Sequence, residues 1–160
     1  MAPARIVFLG MRCAFAHLVF EALLAAGHSL VGLIIPSQAR ALAPADADLQ
    51  LLPPPALPLA PADVVGLAHA LGVPAFAVRR LRGAASVAAL AALRPEVVCA
   101  ACFPRRLPPE WLAVPGRGAF NVHPSLLPAY RGPEPLFWQF RLGEARTGVT
   151  VHQMDAGFDT

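Results

Sequence analysis

Residues 5–36 decide the fold class, because they hold two apolar runs separated by a helical segment. The first run is Arg-Ile-Val-Phe-Leu at residues 5–9, and the second is Ser-Leu-Val-Gly-Leu-Ile-Ile at residues 29–35. Residues 14–26 lie between them and stop at Gly27, a residue suited to the left-handed position that follows a helix. Strand, helix and strand in so short a stretch predict a βαβ unit, with parallel strands and a right-handed crossover.

The remainder of the chain continues this alternation. Further strands are predicted at Val73–Val78, Glu96–Phe103, Gly118–Val122 and Gly148–Met154, and further helices at Ala62–Leu71, Ala84–Leu93, Pro108–Leu112 and Pro133–Leu142. The pattern predicts an α/β fold with a Rossmann-like, doubly wound, mostly parallel sheet and helices on both faces. Residues 37–62 are rich in Ala and Pro without a clear period, and predict a long loop with at most one helical turn.

Composition limits the class of protein. The 160 residues are 56% hydrophobic and 14% charged, as expected for one compact domain and not for a disordered chain. No apolar run reaches the roughly 18 residues that span a bilayer, so no membrane association is predicted. Polar residues interrupt residues 6–36, which therefore do not resemble a signal peptide. We expect a cytoplasmic protein.

The charged residues and the cysteines exclude several kinds of site. All 13 basic residues are arginines, so Schiff-base chemistry and a P-loop lysine are excluded. The net charge of +3 is spread along the chain and does not predict a nucleic-acid-binding face. Cys13, Cys99 and Cys102 lack the spacing of metal ligands, and no metal is expected. Cys99 and Cys102 fall in an apolar run and predict buried structural thiols.

Residues 121–132 read Asn-Val-His-Pro-Ser-Leu-Leu-Pro-Ala-Tyr-Arg-Gly and predict a functional site. Asn121 and His123 are two residues apart at the end of a predicted strand, so both lie on one face. Pro124 and Pro128 then fix a turn. An amide donor beside an imidazole can bind a developing oxyanion and handle a proton. Taken singly, the same residues are also compatible with an Asn satisfying a turn and a His capping a strand.

The same stretch resembles the signature of the folate-dependent formyltransferase family, which includes the methionyl-tRNA and glycinamide ribonucleotide formyltransferases. That signature is an Asn, a His two residues later, and Pro-Ser-Leu-Leu-Pro, all intact here. The resemblance extends from Arg5 to Thr160. It implies that residues 1–160 form the N-terminal catalytic domain of a formyltransferase similar to the methionyl-tRNA enzymes. Such a domain would move a formyl group from 10-formyltetrahydrofolate to a primary amine.

The resemblance also implies a third site residue. Asp159, in the segment Gly-Phe-Asp-Thr, matches the family's aspartate and would complete an Asn–His–Asp site. Asn121 and His123 would hold the developing oxyanion, and Asp159 would help to remove the proton of the attacking amine. Asp155 is the rival carboxylate. We expect His152 to be a packed or supporting histidine rather than a catalytic one.

In the resembling family, backbone groups after the strand that precedes the motif hold the pteridine of the folate. The corresponding candidates are Arg105, Arg106 and Leu107, together with Ser125, Leu126 and Leu127 of the signature itself. The alternative for the arginines is a surface loop with solvated side chains. Tyr130 and Arg131 continue the signature and could shape the mouth of the site.

The acceptor is less defined. Residues 10–15 lack the Gly-rich phosphate loop of the ribonucleotide enzymes and the turn usual in the tRNA enzymes, and residues 37–62 contain Arg40 as their one cation. An amino sugar or another small amine therefore fits as well as Met-tRNA, and water would make the protein a formyltetrahydrofolate hydrolase.

Because the chain stops one residue after Asp159, where the family's next strand would lie, we expect a truncated domain. The second hypothesis is a non-catalytic domain that binds folate or a partner, or self-associates through an uncapped sheet edge.

Overall fold

A computed structural model describes residues 2–37, 48–55, 63–157 and 159. The strands in these residues are β1 Arg5–Gly10, β2 Ser29–Pro36, β3 Leu49–Leu51, β4 Ala75–Val78, β5 Val97–Ala101, β6 Ala119–His123 and β7 Thr150–Gln153. The helices are α1 Ala14–Ala25, α2 Val64–Ala70, α3 Ala84–Ala92, α4 Pro109–Leu112 and α5 Pro135–Arg141. Within the described residues, no helix combines the length and the apolar character needed to cross a bilayer.

These strands form one sheet in the order β3-β4-β2-β1-β5-β6-β7. The five inner strands are parallel, whereas β3 and β7 run antiparallel to their neighbours at the two edges. The strand order reverses between β1 and β5, so a crevice forms beyond their carboxyl ends, where such sheets bind ligands. The predicted α/β class and the mostly parallel, Rossmann-like sheet are confirmed.

The core lies on both faces of the sheet because successive residues of each strand point to opposite sides. In β1, Phe8 packs into a cluster with residues of α1 and α2, including Phe20, whose ring centroid is 5.4 Å away. Leu9 packs into a second cluster with α3 and α4, where Trp111 is fully buried. Helices therefore cover both faces, as the sequence predicts.

The prediction for residues 37–62 is wrong in one part. Leu49–Leu51 forms β3, a short strand paired antiparallel with β4 at the edge of the sheet. Three residues are too few to show a period in the sequence, and the pairing with β4 decides their conformation. Of the rest of the predicted loop, the structure describes residues 37, 48 and 52–55. Residues 38–47 and 56–62 lie outside the described residues, so the prediction is not tested there.

The prediction for the cysteines is wrong for Cys102. The strand β5 ends at Ala101, earlier than the predicted Phe103, and Cys102 follows it with a left-handed φ of 55°. Cys102 is half-buried, whereas Cys99 within the strand is buried as predicted. The end of the strand thus places Cys102 at the carboxyl edge of the sheet rather than in the core.

The edge at β7 carries exposed apolar side chains. Val151 of β7 is 65% exposed, and Phe140 of the neighbouring segment α5 is 86% exposed. Large apolar groups on an edge strand favour association. Self-association through this edge remains a prediction.

Candidate active site

A cavity of about 390 Å³ opens beyond the carboxyl ends of β1, β5 and β6. The register of the sheet produces it, since Gly10 pairs with Ala101 and Ala101 pairs with Val122, so the three strands end at nearly the same level. Its lining comes mainly from residues at or after these strand ends, with a further contribution from β7 and the segment that follows it. Its volume falls within the range of small-molecule sites.

The structure brings the three predicted site residues together in this cavity. Asn121 and His123 lie two residues apart on β6, and the carboxylate of Asp159 reaches both. The Asn121 Nδ2 donates to Asp159 Oδ1 at 2.9 Å, and His123 Nδ1 lies 3.5 Å from Asp159 Oδ2. The backbone N–H of Gly132 also donates to Asp159 Oδ2 at 2.8 Å. The loop after the signature therefore helps to orient the carboxylate.

The contacts of His123 define where its protons lie. Its Nε2 is 2.8 Å from the carbonyl oxygen of Tyr130, which can only accept, so Nε2 carries a hydrogen. The contact of Nδ1 with Asp159 is then attractive only when one further proton sits on the ring or on the carboxyl group. His123 is 4% exposed and lines the cavity. An imidazole and a carboxylate so close together are the kind of groups that take part in proton transfer.

His152 joins the same group of side chains. Pairing of β6 with β7 places it opposite Asn121, with its Nε2 3.3 Å from Asn121 Nδ2 and 3.4 Å from Asp159 Oδ1. It contacts both Asn121 and Asp159 and also lines the cavity, and its role as a supporting histidine stays a prediction. The face of the sheet to which the His152 side chain points depends on the register of β7, which the sequence alone does not fix.

Asp155, the rival carboxylate, also lines the cavity. Its Oδ1 accepts the backbone N–H of Gly157 at 2.6 Å, which holds that oxygen in the turn after β7. The carboxylate oxygens that contact Asn121 and His123 are those of Asp159. The choice of Asp159 over Asp155 stays a prediction, supported by these two contacts of Asp159.

Among the donor-binding candidates, Arg105 and Arg106 line the cavity and Leu107 does not. The Arg105 Nη1 donates to the carbonyl of Arg79 at 2.8 Å, so this guanidinium ties the loop after β5 to the end of β4. Leu107 is 2% exposed and packs in the second core cluster. Its backbone, and not its side chain, is what it can offer to a ligand.

The candidates of the signature shape the turn rather than line this cavity. Ser125 is fully buried and its Oγ donates to the carbonyl of Ala129 at 2.7 Å. The N–H of Leu127 donates to Thr150 Oγ1 at 3.1 Å, while the Leu126 side chain is 55% exposed. The cavity wall next to this turn is formed instead by Pro124 and residues 132–136.

Tyr130 and Arg131 lie at the surface beside the site. The Tyr130 hydroxyl donates a hydrogen bond to Glu144, and this bond is the main reason that the pKa of Tyr130 is raised. Arg131 is exposed. Sequence reasoning missed the contribution of Met11, Cys13 and Glu134 to the cavity lining, because their proximity depends on how loops from different strands meet.

Within the part of the chain that the structure describes, no three His, Cys, Asp or Glu side chains are grouped so as to hold a metal ion. The cavity presents hydrogen-bond donors, carboxylates and imidazoles from Asn121, His123, His152 and Asp159. These groups suit proton transfer and the stabilisation of negative charge.

The sequence profile of the family described as Formyl transferase matches residues 4–160. The methionyl-tRNA formyltransferase of Chloroflexus aggregans is 38% identical over 156 residues, covering 98% of this chain and 46% of that protein. The methionyl-tRNA formyltransferase of Bordetella avium is 41% identical over 164 residues, covering 98% of this chain and 49% of that protein. The chain thus spans about half the length of these relatives.

Solved structures show the same fold. A phosphoribosylglycinamide formyltransferase from Bacillus halodurans superimposes with a TM-score of 0.69 at 22% identity, covering 98% of this chain and 74% of that one. A formyltetrahydrofolate deformylase from Pseudomonas syringae pv. tomato gives a TM-score of 0.68 at 17% identity, covering 99% of this chain and 48% of that one. The profile match over nearly the whole chain shows that this protein belongs to the formyl transferase family.

Proposed function

We propose that this domain transfers a formyl group from 10-formyltetrahydrofolate to a primary amine through Asn121, His123 and Asp159. The observation that carries the proposal is the single carboxylate of Asp159, which contacts both the amide and the imidazole at one cavity. Family membership supports the reaction class. The relatives named as methionyl-tRNA formyltransferases support Met-tRNA as one of the candidate acceptors.

The cavity suits a flat heterocycle beside a reacting carbonyl. The apolar side chains that line it include Phe103 after β5, Val122 in β6 and Leu136 in α5. Backbone groups of residues 103–107 lie at the end of β5, where strand-end amides and carbonyls can read the edge of a pteridine. Arg105, Arg106 and Leu107 remain the proposed donor-binding positions, with Ser125, Leu126 and Leu127 setting the shape of the neighbouring turn.

Asn121 and His123 would stabilise the negative charge that develops on the formyl oxygen as the amine attacks. In the described arrangement, Asn121 Nδ2 is engaged by Asp159 and His152, and His123 Nε2 is engaged by the Tyr130 carbonyl. A formyl oxygen would replace one of these partners. Such donors act strongly in a cavity that excludes water.

Asp159 would take up the proton that the attacking amine loses, directly or through a water molecule. Its position between His123 and Asn121 lets it pass that proton to the imidazole. The proton would then go to the donor nitrogen as the bond between that nitrogen and the formyl carbon breaks and tetrahydrofolate leaves. One carboxylate then serves two roles, since it orients both donors and accepts the proton. No metal is required by these steps.

The proposal is tested by following loss of the formyl group from 10-formyltetrahydrofolate with the purified chain and a panel of amines. The panel contains Met-tRNA, amino-sugar nucleotides and a control without amine. We expect turnover that requires one of the amines and disappears in His123→Ala.

Turnover without amine would identify a hydrolase. Binding of the folate without turnover would support the non-catalytic alternative, and activity retained in His123→Ala would overturn the assignment of the site. The amine that supports turnover identifies the acceptor.

A further inference from the structure

Two cysteines that are far apart in the sequence meet at the wall of the cavity. Cys13 precedes α1, three residues after the end of β1, and Cys102 directly follows β5. Because Gly10 pairs with Ala101 in the parallel sheet, both residues emerge at the same edge. Both side chains line the cavity, and Cys13 lies close enough to Cys102 to affect its pKa.

The third cysteine is separated from this pair. Cys99 is buried within β5 and packs in the core cluster formed with α1 and α2. The Cys-x-x-Cys spacing in the sequence therefore does not describe the contact in the fold. The half-buried thiols of Cys13 and Cys102 are the ones that a small reagent entering the cavity can reach.

We propose that Cys13 and Cys102 form a reversible redox site, which a low-molecular-weight disulfide such as oxidised glutathione converts into an intramolecular disulfide. Neither the reaction of the family nor the Asn121–His123–Asp159 site uses these thiols. The modification site is thus a feature of this chain in addition to its proposed function.

The chemistry proceeds by two thiol–disulfide exchanges. Burial, followed by the neighbouring Cys13, raises the pKa of Cys102 to about 12, so the Cys102 thiol keeps its proton, and the proposal assigns the first attack to Cys13. The Cys13 thiolate attacks one sulfur of the oxidant, forming a mixed disulfide and releasing one glutathione thiolate, which takes up a proton. Cys102 then loses its proton to solvent, attacks the sulfur of Cys13 and releases the second glutathione. The two protein thiols are oxidised and one glutathione disulfide is reduced to two thiols.

Closing the bond would change the cavity. A disulfide holds its sulfur atoms about 2.05 Å apart, much closer than two thiols that only touch. The loop that carries Met11 and Cys13 would therefore be drawn towards the end of β5, which narrows the cavity between them. The narrower cavity should bind a folate more weakly when the chain is oxidised. This expectation rests on the proposed function, which places the folate in the cavity.

The first experiment treats the folded chain with an excess of oxidised glutathione and maps its disulfides by mass spectrometry without reduction. We expect the mass to fall by about 2 Da and to be restored by a reductant. Trypsin leaves Cys99 and Cys102 together in residues 83–105, because Pro95 blocks cleavage after Arg94. The variant Cys99→Ala therefore assigns the partner, and it should oxidise like the parent chain.

A bond between Cys99 and Cys102, a glutathione adduct that never resolves, or three unchanged thiols would overturn the proposal. Cys13→Ala supplies the matched control, since it should stop at a glutathione adduct or not react. Mass spectrometry of the protein detects each of these outcomes, so no measurement of enzymatic activity is needed.

The second experiment titrates 5-formyltetrahydrofolate into the reduced and the oxidised chain. We expect the oxidised chain to bind it about tenfold more weakly, a difference of about 1.4 kcal/mol. Equal affinity would overturn the effect on the cavity. Absence of binding to the reduced chain would count against the proposed function and leave the disulfide result standing.

Discussion

Two polar networks lie near the carboxyl edge of the sheet, and they differ in what they face. In the first, Arg12 Nη1 donates to Asp63 Oδ2 at 2.6 Å, and Asp63 Oδ1 accepts the N–H of Val65 at the start of α2. In the second, Asp159 joins Asn121 and His123. Both networks pair a buried carboxylate with donors from another part of the chain.

The difference is that the first network is outside the lining of the cavity beyond β1, β5 and β6, whereas all three members of the second belong to that lining. Asp63 caps a helix and fixes the loop after β1 to α2, which is a contribution to stability. Asn121, His123 and Asp159 present donors and a carboxylate to a space that can hold a ligand. We therefore expect the first network to control stability and the second to control activity.

The largest expected effect is that of His123→Ala. Formyl transfer should fall by about 10²- to 10⁴-fold, because the variant loses the imidazole that handles the proton. Steady-state rates measure the loss, and thermal unfolding followed by circular dichroism checks that the fold survives. If the variant were inactive because it is unfolded, His123 would control stability, and the distinction between a network for stability and one for activity would be wrong.

Asn121→Ala should lower the rate by about 10²- to 10³-fold, the usual cost of removing one donor to a developing oxyanion. The effect should appear mainly in kcat, since the donor acts as charge develops. A change confined to KM would instead assign Asn121 to substrate binding.

Asp159→Asn and Asp155→Asn form a matched pair that sharpens the choice of carboxylate. Asp159→Asn removes the charge beside both His123 and Asn121, so it should cost at least tenfold more in rate than Asp155→Asn. Parallel kinetic measurements on the two variants decide the order. The reverse order would make Asp155 the carboxylate of the site.

Asp63→Ala should act on stability. It removes the cap of α2 and leaves Arg12, which is 40% exposed, without its carboxylate, so the free energy of unfolding should fall by about 1–3 kcal/mol. Urea unfolding measures the change, with the exposed Glu110→Ala as the control, for which we expect about 0.5 kcal/mol or less. Activity per folded molecule should remain, and its loss would place this network in the site.

The smallest effect concerns the titration of Tyr130, the single tyrosine of the chain. The hydrogen bond to Glu144 raises its pKa, so the protonated hydroxyl is favoured in the folded state. Its stabilising contribution is present below the ordinary pKa of about 10 and is lost as the pH rises through the folded value. Phenolate absorbance should rise at lower pH in Glu144→Gln; an unchanged titration would contradict the role of this bond.

The sequence predicts the inner sheet and the Asn–His pair because both depend on local patterns. The apolar runs of β1 and β2 flank a helix, and the proline-bracketed Asn121 and His123 are two residues apart in a strand. Alternation alone places them on one side. The family resemblance, rather than local pattern, directed attention to Asp159.

The remaining features depend on contacts between distant segments. The three residues of β3 become a strand through pairing with β4, and His152 faces Asn121 through the register of β7. Cys102 meets Cys13 because β1 and β5 are neighbours in space. Leu107 turns into the core although it follows two arginines. Tertiary pairing decides each of these outcomes, and no short window of sequence records it.

The most direct test of the central claim is a crystal structure of the chain with a hydrolysis-resistant 10-formyl folate analogue. We predict that the formyl oxygen lies within about 3.5 Å of both Asn121 Nδ2 and the His123 ring, with the heterocycle in the cavity beyond β1, β5 and β6. An analogue bound elsewhere, for example in the second cavity lined by Arg80 and Arg82, with the contacts of Asp159 unchanged, would contradict the assignment of the active site.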